Sequence, residues 1–180
     1  MKPIRPMRRS LITALMTLSL AGCGGSADEL SLGMALSFPT DAAVPPETIA
    51  AFEVGVVQGL ANNNCGPYLS APLAGDATPT CPSTLSGTQL LELRDADGRA
   101  VKKRRIAPAL SGSGLQQLSV EVPVGPSTSV LIQAVDAAGG LLGSTCAYVG
   151  RVTISSVEFN NRTLELHLDD RYTTCQPVIP

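Results

Sequence analysis

Cys65, Cys81, Cys146 and Cys175, the lone His167, the acidic stretches Asp95 to Gly98 and Asp169-Asp170, and the basic run Lys102 to Arg105 are the side chains that could do chemistry. Thiols in an even set that cross into an oxidising compartment pair as disulfides, so two bridges are expected. Three connectivities exist, and we favour Cys65 with Cys81 and Cys146 with Cys175, because the first pair brackets a proline-rich loop. Closing a loop of that length adds about 3 kcal/mol in the chain-entropy account. Zinc is the competing use of the same thiols, but C-x-x-C spacing and a neighbouring histidine are missing. No metal and no cofactor is expected.

His167 stands in "LELHLDD". Alternation along a strand turns Leu164, Leu166 and Leu168 inward, and so places Glu165 and His167 on the outer face. A general base also needs a nucleophile and an orienting partner within reach, and the chain carries no G-x-S-x-G elbow. An inert surface histidine and a chain without catalytic residues are the expectation. Calcium would suit "DADG" and "DD", yet the spaced ligands and closing glutamate of a calcium loop are absent, and turn chemistry accounts for Asp97-Gly98.

"KKRR", Lys102, Lys103, Arg104 and Arg105, would put two basic side chains on each face of a strand. Such a strand belongs at a sheet edge, where charge blocks edge-to-edge pairing. Its functional alternative is contact with an anionic surface such as lipopolysaccharide or phospholipid headgroups. Tyr68 lies in the cysteine-bracketed loop and either packs that loop down or is presented to a ligand.

These residues must be positioned by strands. In "AAFEVGVVQ" Phe52, Val54 and Val56 share one face, the pattern of a half-buried antiparallel strand. "TQLLELRDADGRAVKKRRIAP" reads as a hairpin from Gln89 to Ile106 turning at Asp97-Gly98, a type I′ pair. "LQQLSVEVPVG" alternates up to Pro123, which marks an edge strand or a strand end. A second hairpin turns at Asp136 to Gly140, and a last turn is expected at Asn160-Asn161. Strands at this spacing, broken by Gly, Pro and Asn, predict an all-β fold: a single antiparallel Greek-key β-sandwich of about 7–8 strands. The expected organisation is residues 1–22 as signal peptide, 23–47 as lipidated cysteine and tether, within which alternation over Leu30 to Phe38 offers a first strand, and 48–180 as the sandwich.

At the start of the chain, Lys2, Arg5, Arg8 and Arg9 precede the apolar run Leu11 to Leu20, which is too short to span a bilayer. Leu20-Ala21-Gly22-Cys23 resembles the lipobox of bacterial lipoproteins. The resemblance implies cleavage before Cys23, acylation of that residue, and a membrane partner reached through the lipid anchor. Gly24 in place of Asp implies the outer membrane of a bacterial cell envelope. Removing the first 22 residues takes away four of the 13 basic side chains and none of the 15 acidic ones. The acidic mature surface argues against nucleic acid as a partner.

"VEVPVGPSTSVLIQAVDAAGGLLGSTCAYVGRVTISSVEFNNRTLELHL", Val120 to Leu168, is similar to the prealbumin-like or immunoglobulin-like modules of secreted bacterial lipoproteins. Such modules host many roles, so the likeness implies a fold rather than a reaction. The expected function is therefore that of a lipid-anchored, non-catalytic structural or interaction module of the envelope, with Ala61 to Ser86 as its contact surface and an envelope protein or glycan as its partner. A carbohydrate- or peptide-binding accessory module is the alternative, and an envelope hydrolase without a histidine-based site a second one.

Overall fold

The structure is a computed structural model and describes residues 29–39, 42–60, 64–109, 115–151 and 162–180. The signal segment, Cys23 and the Asn160-Asn161 turn lie outside the described residues. Among those described, nine strands form two main sheets and a small ribbon.

The first sheet has the order β6-β1-β9, from Leu115–Pro123, Glu29–Ser37 and Arg162–Glu165. The second has the order β5-β2-β7-β8, from Arg104–Ile106, Ala51–Gln58, Ser127–Val135 and Leu141–Arg151. β3, Leu93–Arg94, pairs only with β4, Ala100–Val101. The chain crosses between the main sheets after β1, β5, β6 and β8, as expected of a Greek-key sandwich.

Alternation decides which side chains meet. Leu32, Met34 and Leu36 of β1 and Val120 and Val122 of β6 face Phe52, Val54, Val130 and Ile132 of the other sheet, all essentially without exposure. Phe38 stacks on Phe52 with ring centroids 6.2 Å apart. The core thus begins at β1. Glu29–Ser37 is a full member of the sandwich, paired with β6 along its whole length, and the domain starts well before residue 48. The pairing of β1 with β9 is parallel, so the sandwich is not antiparallel throughout.

The four-stranded sheet is covered on both faces. β2 alternates Phe52, Val54 and Val56 toward the first core with Gly55 and Val57 toward a second one, and only Gln58 of the strand is exposed. This second core joins Val57 and Leu131 to Leu85, Leu90, Tyr172, Val178 and Ile179, contributed by long connections rather than strands. β2 is consequently buried on both sides, where one-sided burial was expected. Gly55 leaves room for that cover: a Cβ on it would lie 2.8 Å from Leu90 Cδ2 and 3.3 Å from Ile179 Cδ1, so these side chains would have to shift.

The hairpin is shorter than its sequence suggests. Asp95 N–H donates to the Arg99 carbonyl, and Asp95 Oδ1 accepts from the backbone N–H of Asp97 and Arg99. Gly98 sits at φ 76°, so a three-residue loop with glycine in the left-handed region replaces the expected type I′ turn. The Asp136 to Gly140 turn closes as expected, with Asp136 Oδ1 accepting from Ala138 and Gly140. Pro123 ends β6, which is itself an edge strand.

Candidate functional site

The loop from Asn64 to Leu90 forms an outer layer over the second core, and three devices fix it there. Disulfides are the first. Cys65 bonds Cys146 on β8, and Cys81 bonds Cys175 near the last residues, each with Cα atoms 5.5 Å apart. The expected pairing of Cys65 with Cys81 and Cys146 with Cys175 is corrected. The loop runs across the sheet instead of closing on itself, which brings each early cysteine to a late one, 81 and 94 residues away.

Arg171 is the second device. In the 3-10 turn Asp170–Thr174 its guanidinium forks onto Asp169, with Nε 2.8 Å from Oδ1 and Nη2 2.6 Å from Oδ2. The same group donates from Nη1 to the carbonyls of Gly75 and Ala77, at 2.6 and 2.9 Å. Asp169 also caps the turn by accepting the Arg171 backbone N–H. Tyr172 is the third device: its buried hydroxyl donates to the Ala71 carbonyl and accepts from the Ala71 N–H. Burial pushes the Tyr172 phenol above its ordinary pKa.

The side-chain hydrogen bonds from Arg171 hold the Asp169 carboxyl below the usual carboxylate range, although burial opposes them. A depressed folded-state pKa contributes stability that is complete above the unfolded value of about 3.9 and is lost as pH falls through the folded value. Urea midpoints measured from pH 7 to pH 2 should therefore fall less steeply below about pH 4 in Asp169→Asn than in the wild type. Equal acid slopes in the two proteins would contradict this assignment.

Tyr68 is half-buried and packs against the second core, while its carbonyl accepts the Ser144 hydroxyl at 2.8 Å. Next to it Leu69 is 40% exposed, the one large hydrophobic side chain so exposed among the described residues. Ser70 is anchored to Ser144 from both sides, with its N–H and hydroxyl donating to the Ser144 carbonyl and its hydroxyl accepting the Ser144 N–H.

The basic run lies at the edge of the four-stranded sheet, where β5 pairs with β2 alone. Lys103 and Arg105 point to one face and share a single carboxylate, Glu53, at 3.1 and 3.7 Å. Glu53 is buried and also accepts from Gln133 Nε2 at 2.7 Å, and Gln133 in turn bonds both the N–H and the carbonyl of Ile179. Two of the four basic residues thus serve the seating of the last residues on the sheet. Lys102 donates to the Leu90 carbonyl and lies 3.9 Å from Glu92. Arg104 turns toward the mouth of the sandwich beside Leu93, Val120 and Glu121.

His167 Nε2 is 3.4 Å from a Glu165 carboxylate oxygen. The imidazole borders a pocket of about 50 Å³ with Ala42, Pro72, Leu73 and Asp169. Leu166 and Leu168 point inward as expected. Asp95 and Asp136 spend carboxylate oxygens on their own turns, and no group of three or more potential metal ligands occurs among the described residues.

The Asp169–Arg171–Tyr172 cluster and the Glu53–Gln133 pair were not foreseen. For the first, a sequence signal existed: "DDRY" has the aspartate two residues before the arginine that a capped turn would bring together. No protein-family model matches the chain, and neither does any curated protein or solved structure.

Proposed function

We propose that this is a lipid-anchored, non-catalytic protein of the bacterial cell envelope, held at the outer membrane through Cys23, whose sandwich displays the Asn64 to Leu90 layer to an envelope partner. The lipobox-like Leu20-Ala21-Gly22-Cys23 supports the anchor, and two disulfides suit a compartment that oxidises thiols. We read the sandwich itself as a prealbumin-like or immunoglobulin-like module.

One observation carries the interaction role: an exposed loop rich in Pro and Gly is held by two disulfides, the Arg171 fork and the Tyr172 hydroxyl. A loop ordered before it meets a partner loses little conformational entropy on binding. Leu69 and Tyr68 supply apolar contact area within it. Ser70, the serine closest along the loop, is committed to backbone bonds and is a poor nucleophile candidate.

Labelled palmitate should enter the wild-type chain and not Cys23→Ser. Label retained by the variant contradicts the anchor. Cross-linking in intact envelopes should capture a protein with the wild type and lose it with Leu69→Glu. Retention of one saccharide class on a glycan array would favour a carbohydrate-binding module instead. Hydrolytic turnover abolished by an Asp or Ser substitution would overturn the non-catalytic reading.

A further inference from the structure

We infer that Thr78 and Thr80 are modification sites, acceptors for O-linked sugars on the outer layer of the domain. The inference goes beyond the proposed function and rests on it in one respect, the envelope location that supplies the sugar donor.

Composition and conformation make the first argument. "ATPTCPSTLSGT", Ala77 to Thr88, alternates hydroxyl side chains with prolines and small residues, and no charge occurs from Ala77 to Leu91. Ser and Thr mixed with Pro is the composition of segments that carry O-linked sugars. A proline disfavours helical geometry in the residue before it, which keeps Thr78 and Cys81 extended, and residues 77–86 form neither helix nor strand. Pro79 is half-buried and Pro82 buried, whereas Thr78 and Thr80 are exposed. Two positions apart in an extended chain, the threonines share one face at a spacing of about 7 Å. The arc is pinned at both ends: the Ala77 carbonyl accepts Arg171 Nη1 at 2.9 Å, Cys81 is bonded to Cys175, and Ser83 N–H donates to the Pro67 carbonyl at 2.7 Å. A transferase therefore meets both hydroxyls on an ordered, extended stretch, and no sheet or helix has to open to present them.

Hydrogen bonding makes the second argument independently. Neighbouring hydroxyls of the layer are committed: Ser70 to Ser144, Thr84 to the Pro177 carbonyl, and Ser86 and Thr88 to each other. Exposed hydroxyls elsewhere find partners too, Ser31 with Ser119, Thr48 with the Pro45 carbonyl, Thr173 with that of Asp170 and Thr174 with that of Arg171. Thr78 and Thr80 form no hydrogen bond with any described residue, so the proton and lone pairs of each Oγ1 are free for transfer. In that step Oγ1 attacks the anomeric carbon of a sugar carried on a lipid diphosphate. The new C–O bond forms as the bond from that carbon to the diphosphate oxygen breaks; the diphosphate leaves with the electron pair, and the hydroxyl proton passes to a base of the transferase. The chain is substrate only. A phosphoryl group on the same oxygens would add negative charge next to Asp76, and Arg171, which holds Ala77, is already forked onto Asp169. A neutral sugar meets no such repulsion.

Peptide mapping of the full chain recovered from the cells that naturally make it tests this. Cleavage before aspartate, after reduction, releases one peptide from Asp76 to Arg94 and another from Cys23 to Ala27. The first should be heavier than its sequence by whole monosaccharide residues, and fragmentation that spares the glycosidic bond should place them on Thr78, Thr80 or both. The added mass should be lost in the Thr78→Val, Thr80→Val variant, which keeps the β-branched shape and exchanges only each hydroxyl for a methyl; the wild-type map decides by itself if that variant does not fold. A bare peptide, a sugar confined to Ser83, Thr84, Ser86 or Thr88, or a phosphoryl mass overturns the assignment. The second peptide reads the anchor separately: acylated Cys23 with bare Thr78 and Thr80 refutes the glycan alone, whereas sugar on a chain with unacylated Cys23 refutes the anchor alone.

Discussion

Replacing Cys81 and Cys175 together by serine should lower the unfolding free energy by about 4 kcal/mol, and replacing Cys65 and Cys146 should cost a similar amount. The size follows from the loops closed, 81 and 94 residues, each far longer than a loop within the Asn64 to Leu90 segment. Domains of this size are stable by roughly 5–15 kcal/mol, so losing both bridges removes most of the margin. The two variants should differ in kind as well. Loss of Cys81–Cys175 releases the last residues, in which Val178 and Ile179 are fully buried against β2 and β7, and amide exchange there should accelerate first. Loss of Cys65–Cys146 leaves that segment seated through Gln133 and should loosen the loop near Tyr68 instead. Urea titration with exchange mapping distinguishes these outcomes; a change under 1 kcal/mol in either variant would contradict the stapled-layer account.

Gly143→Ala should be strongly damaging, destabilising by about 3 kcal/mol or more. A Cβ at this position of β8 would lie 2.1 Å from the His167 carbonyl oxygen, a backbone atom that cannot rotate away. The approach is close because the segment after β9 lies against the edge of β8, where Asp169 N–H donates to the Leu142 carbonyl. The same change at Gly87, where a Cβ meets nothing within 4 Å, is the control and should alter stability by no more than about 0.5 kcal/mol. Thermal melts of the two variants measure the contrast.

Local signals made much of the fold legible. β6 follows the alternation of its apolar residues, β2 and β7 lie where apolar and β-branched residues between turns predict strands, and the Asp136 turn follows from its own side chain. β1 alternates just as clearly, but Gly33 and the flanking Gly, Ser and Pro imitate a tether, and its place in the core depends on β6, from Ser37 paired with Leu115 to Glu29 paired with Pro123, far along the chain. The half-buried reading of β2 failed for a related reason. Val57 and Gly55 face a cover made of loop, and no periodicity marks a loop as a cover.

Of the site, the edge position of "KKRR" was legible because charge at an edge has a local physical cause. Its partner Glu53 was not, since it lies 50 positions before Lys103. Disulfide connectivity is hidden in the same way: spacing along the chain favours short loops, whereas proximity in the fold joins Cys65 to β8 and Cys81 to the final turn.

The most direct test of a stapled contact layer on an envelope protein is a non-reducing peptide map of the chain recovered from envelopes. The account predicts linked peptides containing Cys65 with Cys146 and Cys81 with Cys175, and no free thiol among the four. A Cys65–Cys81 peptide, or four reduced cysteines, would contradict it.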